Sequence, residues 1–253
     1  MEERKISAGS YDLNKFLFGG YEKDIITTIY GPGGSGKTNL CMLLAVSQAK
    51  KGNKVIYVDT EGGFSIDRVK QLLSLKEKTN QEKTLEQDKT LQNILLLKPT
   101  SFEEQEEAFE ILNKQIKKET VALIIIDSIA MLYRLELAEA IQSKEDEKIK
   151  QVNRKLAEQL KNLNEIARKQ NIPILITNQV YSEFLTQEEI NAGIQRSVSM
   201  VGGDLLKYWS KCLIEIKNAR GKRTLFLRKH RSLPEKEMDF EITNEGIRRR
   251  GWI

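Results

Sequence analysis

The stretch Ile25-Ile26-Thr27-Thr28-Ile29-Tyr30-Gly31-Pro32-Gly33-Gly34-Ser35-Gly36-Lys37-Thr38-Asn39 decides the fold. It opens as an apolar β-type run, passes through a glycine-rich turn and enters a helical pattern over 38–51, with Gly52 as a plausible C-cap. Strand, glycine-rich loop and helix in that order are the setting a Walker A loop requires. The glycines let successive backbone N–H groups curve around a polyphosphate, and the helix N-terminus adds its positive dipole end. On this reading Gly31, Pro32, Gly33, Gly34, Ser35, Gly36, Lys37, Thr38 and Asn39 cradle a nucleoside triphosphate. Lys37 neutralises the β and γ phosphates and Thr38 ligates Mg²⁺. ATP and Mg²⁺ are the expected cofactors.

The same residues also satisfy a dinucleotide fingerprint at Gly31, Gly33 and Gly36, with Asp59 standing 23 residues after Gly36 where a ribose-binding acid belongs. Lys37 and Thr38 decide against that rival, because a triphosphate needs a lysine beside the last glycine and a dinucleotide does not. A hydrated Mg²⁺ needs an acid at the end of a neighbouring buried strand, and Leu123-Ile124-Ile125-Ile126-Asp127-Ser128 supplies one. Hydrolysis needs a group that activates or orients water. Glu61, in Val58-Asp59-Thr60-Glu61-Gly62-Gly63 just past a strand end, is the first candidate; Asp59 is the other, and loop capping is an alternative role for both.

Working outward, the continuous apolar runs 25–30, 55–58, 94–97, 121–126 and 172–176 read as parallel strands buried on both faces. Helical patterns separate them at 38–51, at 101–118, where Ser101 and Glu104 stand at capping-box spacing, and at 145–170. This alternation predicts an α/β fold with a mainly parallel central sheet flanked by helices. After 176 the pattern changes to 212–217, 224–229 and 238–242 without intervening helices, punctuated by turn signals at 218–221 and 244–246. Antiparallel strands are expected there. Residues 76–93, rich in Lys, Glu, Gln and Thr, read as a solvated excursion, helical or loose. No internal repeat or Pro/Gly/Ser linker breaks the chain, so residues 1–253 are expected to form a single domain.

Composition excludes several classes. The 253 residues carry 41 Lys and Arg against 36 Asp and Glu, a formal charge of +5, with 40% apolar and 30% charged residues. No apolar run is long enough to span a membrane and no secretory signal is read at the start, so a cytoplasmic protein with no membrane partner is expected. Cys41 and Cys212, far apart and in apolar surroundings, read as reduced core residues. From 205 to 253 there are 13 Lys and Arg against 6 Asp and Glu, a net +7 that leaves −2 for the rest. That asymmetry fits a nucleic-acid footprint, or solvated strand ends such as Arg248-Arg249-Arg250.

Four segments taken together resemble the ATPase core shared by RecA and the archaeal and eukaryotic strand-exchange recombinases. They are Val55-Ile56-Tyr57-Val58-Asp59-Thr60-Glu61-Gly62, Ile126-Asp127-Ser128, Leu132-Tyr133-Arg134 and Ile176-Thr177-Asn178-Gln179-Val180. Val201-Gly202-Gly203-Asp204-Leu205-Leu206-Lys207-Tyr208-Trp209-Ser210-Lys211-Cys212 and Arg228-Lys229-His230-Arg231-Ser232-Leu233-Pro234-Glu235 narrow the resemblance to the archaeal recombinase-paralogue family, RadB. The resemblance implies a RecA-like P-loop ATPase core in which Gln179 senses the γ-phosphate. It also implies a second DNA-binding loop over 181–200, containing Arg196, and a first near 134–144, starting at Arg134.

The composition of these loops qualifies that picture. Arg196 is the only Lys or Arg of 181–200, against Glu183, Glu188 and Glu189, so phosphate binding is expected to be modest and salt-sensitive unless Lys207, Lys211 and 220–223 contribute. Arg134 reads equally as a solvated helix-start residue. Lys229, His230 and Arg231 fall in the segment that resembles the cap over ATP in the neighbouring protomer of recombinase filaments, where a cation acts in trans like an arginine finger. His230, the only histidine, also reads as a structural hydrogen-bonding residue.

Strand-exchange recombinases carry an N-terminal DNA-binding domain and a Phe-x-x-Ala linker that adds to the next protomer's sheet. With about two dozen residues ahead of the first strand, neither is expected here. The resemblance therefore implies slow hydrolysis and an accessory role in homologous recombination and DNA repair, as a recombinase mediator associated with the nucleoid. The implied partners are single-stranded or branched DNA, a RadA-type recombinase whose linker fills an empty groove, a Holliday-junction nuclease by family resemblance, and further copies in a homo-oligomer. Two other readings stay open: a protein-interaction module with ATP as a structural ligand, and a KaiC-like signalling ATPase or kinase.

Overall fold

β-branched residues crowd the runs read as strands, and each of those runs is a strand in the computed structural model, which describes residues 4–73, 79–182 and 198–251. In chain order the elements are β1 (Lys5–Ile6), α1 (Tyr11–Phe16), β2 (Tyr21–Glu22), β3 (Ile26–Gly31), α2 (Lys37–Ala49), β4 (Lys54–Asp59), α3 (Ile66–Leu73), α4 (Asn80–Leu91), β5 (Ile94–Leu97) and α5 (Phe102–Lys118). There follow β6 (Val121–Asp127), α6 (Met131–Gln142), α7 (Asp146–Gln170), β7 (Ile174–Ser182), β8 (Val198–Met200), α8 (Gly203–Trp209), β9 (Cys212–Ala219), β10 (Lys222–His230), β11 (Lys236–Thr243) and β12 (Gly246–Arg249).

Among the described residues one sheet runs in the order β12-β11-β10-β9-β3-β7-β6-β4-β5, with β8 antiparallel on β7. The strands β3, β7, β6, β4 and β5 are mutually parallel. Side chains alternate between two cores, as the two-residue period of a strand demands. Ile29, Val55, Tyr57, Leu123 and Ile125 pack with α2, α3 and the inner face of the C-terminal strands. Ile26, Ile56, Val58, Ile124, Ile126, Ile174 and Ile176 pack with α5, α6, α7 and α8. Burying each such side chain contributes about 1.5–3 kcal/mol. Parallel register sets Gly31 beside Gln179 and Asp59 beside Asp127.

Several expectations need correction. β9, expected to be antiparallel throughout, runs parallel to β3 with Thr27 opposite Cys212, and is antiparallel only to β10. A helix, α8, precedes it; Leu206 is its buried anchor. Residues 134–142, assigned to a loop, belong to α6, where Leu132, Tyr133 and Ala140 are buried. The capping box at α5 is only half formed: Ser101 accepts from Glu104 N, but the Glu104 carboxylate turns to Thr100 N and Oγ1 at 2.7 and 2.8 Å. A complete box instead starts α4, between Thr79 and Glu82.

β12 is closed by the segment at α1: Ser10 Oγ donates to Ile247 O at 2.7 Å, and Arg249 N donates to Asp12 Oδ2 at 2.7 Å. The hairpin β9–β10 turns on Arg220 and Gly221, both left-handed (φ 51° and 82°), as a two-residue connection with right-handed strand twist requires.

Candidate functional site

The loop between β3 and α2 is shaped by its glycines for different reasons. A Cβ on Gly31 would lie 2.5 Å from Ile216 O, and one on Gly36 would lie 2.8 Å from Ile242 Cδ1 at φ 110°. Gly33 has no such reason: its φ is ordinary and nothing lies within 4 Å of where its Cβ would be. The free space beside it leaves room for a ligand backbone or phosphate to approach closely. Gly36 caps α2 without a side-chain hydrogen bond, so the first turn keeps N–H groups for an external acceptor.

Two buried groups point the same way. Ser35 Oγ is buried with no hydrogen-bond partner among the described residues. Lys37, 6% exposed, donates to Gly31 O and Pro32 O, at 3.0 and 2.9 Å. Burial lowers its pKa, while the Glu61 and Asp127 carboxylates pull it back up. An ammonium held by carbonyls, an unpartnered hydroxyl and an uncapped helix end all want an anion. The donor set fits a polyphosphate, and Thr38 with Asp127 fits its Mg²⁺. Asn39 lies half-buried in the first turn of α2.

Asp127 ends β6, 1% exposed. Tyr57 OH donates to its Oδ2 at 2.9 Å and Thr177 Oγ1 to its Oδ1 at 2.7 Å; the Thr38 hydroxyl is a third partner. Burial raises its pKa and these hydrogen bonds oppose the rise. Thr177 Oγ1 also accepts from Ser128 N at 2.7 Å, and Thr60 Oγ1 donates to Asp127 O and Ser128 O. Tyr57, Thr60 and Thr177 were not singled out by sequence reasoning. All three lay in quoted segments, and a tyrosine hydroxyl and two threonines beside buried acids were the available signal.

Geometry separates Asp59 from Glu61. Asp59 is buried and accepts from Gly63 N and Phe64 N at 3.0 and 2.9 Å, which makes it the cap of the loop after β4. Glu61 is exposed and accepts from Gln179 Nε2 at 2.6 Å. Lys37, Glu61, Asp127 and Gln179 thus meet at the C-terminal edge of the parallel strands, where open α/β sheets bind ligands.

The remaining candidates form another group. Lys207 and Lys211 are exposed on and after α8, and Lys229 Nζ donates to Lys207 O at 2.7 Å. A bulge between Leu227 and Lys229 re-aims that strand end. Burial, then the nearby Lys211 charge, lowers the Lys229 pKa. His230 Nδ1 accepts from Ser232 N at 3.1 Å, and burial lowers the ring's pKa against the pull of Glu22. Arg231 is engaged by its own chain: Nε meets Glu22 at 2.6 Å and the terminal nitrogens meet Asp24 at 2.8 and 3.2 Å. Arg134 is exposed on α6, whereas Arg196 and most of the 181–200 segment lie outside the described residues.

A model of the Rad51 family matches residues 2–250. The chain is 42% identical over 236 residues to the DNA repair and recombination protein RadB of Methanococcus maripaludis, spanning 93% of this chain and 96% of that protein. It is 38% identical over 251 residues to RadB of Methanobrevibacter smithii, covering 97% and 96%, and 38% identical over 237 residues to RadB of Methanocaldococcus jannaschii, covering 93% and 98%. With a family match over nearly the whole length and identities of this size along it, the chain belongs to the Rad51 family, in its archaeal RadB branch.

Proposed function

We propose that this chain is an ATP-binding, DNA-binding accessory protein of homologous recombination and DNA repair, with weak Mg²⁺-dependent ATPase activity, acting as a recombinase mediator through one RecA-like ATPase domain. The observation that carries the reading is the loop at Gly33, open on its ligand side and backed by the buried, carbonyl-held Lys37 and the unpartnered Ser35. Lys37 and the N–H groups of α2 bind and orient the phosphates. Thr38 and Asp127 hold Mg²⁺, which neutralises phosphate charge when bound. Glu61 holds and deprotonates the attacking water, and Gln179 reads the γ-phosphate. Lys229, His230 and Arg231 are the residues offered to a neighbouring copy, Lys229 also held by Lys207 O and Arg231 by Glu22 and Asp24 within the chain.

The partners that follow are single-stranded or branched DNA, contacted through Arg134, Arg196, Lys207 and Lys211, a RadA-type recombinase, a Holliday-junction nuclease and further copies, in the cytoplasm beside the nucleoid. The names of the relatives, which place those proteins in DNA repair and recombination, support this reading. The test is ATP hydrolysis with and without single-stranded DNA, beside DNA binding at two salt concentrations. Slow, unstimulated turnover with salt-sensitive binding is expected. Strong stimulation by DNA contradicts the mediator role, and DNA affinity indifferent to salt and ATP contradicts the DNA half.

A further inference from the structure

The opposite margin of the sheet holds a second concave surface that the ATP site does not explain. Where α2, α5 and α7 end and β3 and β6 begin, a cleft of about 760 Å³ is walled by Lys23, Lys51, Lys117 and Lys118, with Gln170 and Asn171 at its rim. None of the four lysines makes an ion pair among the described residues. Glu119, the single carboxylate of the lining, accepts from the Gln115 amide. No aromatic ring lines the cleft.

We propose that this cleft is a binding site for the phosphodiester backbone of DNA. Four ammonium groups around one concavity raise the local potential for a polyanion of regularly spaced charges, and each phosphate neutralised releases counterions. The amide side chains at the rim add neutral donors. Without a stacking ring or a groove-reading helix the site is indifferent to base sequence. It lies away from Gly31 and Asp127, so it binds with the nucleotide site filled or empty. The lysines are contributed by the part of the chain whose net charge is −2, so the basic C-terminal quarter does not predict it. This inference rests on the DNA-binding half of the proposed function.

The test is fluorescence polarisation with labelled oligo(dT) and a mixed-sequence oligonucleotide across a salt series, on the full chain and its Lys51→Gln/Lys117→Gln variant, with ATP affinity as the control. For wild type, equal affinity for both oligonucleotides is expected; in the variant the log–log salt slope should fall by about 1.4, roughly 0.7 for each lost phosphate contact on single strands, with ATP affinity unchanged. Lys23→Gln/Lys118→Gln, which shares no substituted residue with the first pair, gives the same shift and guards against a folding defect in the first variant. A slope unchanged in both variants overturns the cleft as the site while DNA binding itself stands. Wild type that does not bind either oligonucleotide overturns both.

Discussion

Gln179 Nε2 donates to Glu61 Oε1 at 2.6 Å, which ties the end of β7 to the loop after β4. Gly31 is the register partner of Gln179, so the glycine-rich loop, Glu61 and β7 share one mechanical unit. Movement of either side chain alters the geometry of the other.

Glu61→Gln should retain ATP binding and lower hydrolysis by about 10²-fold or more, whereas Lys37→Ala should weaken ATP binding by about 10–100-fold, the worth of a charge-assisted hydrogen bond. Equilibrium binding of a fluorescent ATP analogue and steady-state turnover separate the two. Equal loss of binding in both variants would contradict the division of roles.

Gly33→Ala and Gly36→Ala should part company. The first meets no protein atom within 4 Å and an ordinary φ, so thermal stability is retained while ATP affinity drops at least about tenfold, because the methyl fills the phosphate side of the loop. The second combines a φ of 110° with a methyl 2.8 Å from Ile242 Cδ1 and should cost about 1–3 kcal/mol of stability. Thermal melts beside ATP titrations decide; a destabilised Gly33→Ala with normal affinity would refute the ligand-side reading.

Burial holds the Asp127 carboxyl above the ordinary carboxylate range. Protons and Mg²⁺ compete for its oxygens, so the Mg²⁺-dependent part of ATP affinity should fade on acidification at a higher pH than an unperturbed aspartate would give. For folding, the sign is reversed. The native state protonates before the unfolded one, so the contribution of this group is fully present below the unfolded pKa and lost as pH rises through the folded pKa. Isothermal titration with and without Mg²⁺ over a descending pH series tests the first; a Mg²⁺ increment flat down to the usual carboxylate pKa counts against it.

Arg231→Ala should destabilise the chain by about 2 kcal/mol, because it leaves the buried Glu22 without its closest cation. Arg231→Lys restores only part, since an ammonium does not bridge Glu22 and Asp24 as the guanidinium does. Urea denaturation gives the result; unchanged midpoints would show that the network is ornamental and Arg231 is held for another role.

The parallel core was legible because its strands are continuous apolar runs: 94–97 is β5 to the residue, and the end of β6 at Asp127 was read as a strand end. Partnership across the sheet was not legible. β9 joins β3 through backbone pairing that leaves no local mark, so its mixed orientation escaped. α6 is apolar nearly all round, with Leu135 and Ile141 exposed and Leu132 and Tyr133 buried, and shows no periodic stripe to betray a helix. α8 spans too few residues to repeat a period. At the site, sequence ranked Glu61 ahead of Asp59 without a geometric reason; the direction of the Asp59 carboxylate, turned back to Gly63 and Phe64, supplies one.

Ser10 and Asp12 occupy the backbone groups of β12 that would otherwise face water. Shortening the chain past these residues for expression, or displacing them with a rigid fusion, would leave Ile247 O and Arg249 N as a bare template for a stray strand from another molecule. Preparations that lose the first dozen or so residues to proteolysis should therefore precipitate before they lose helix content, and a tag is better placed elsewhere, for instance at the Arg220-Gly221 turn.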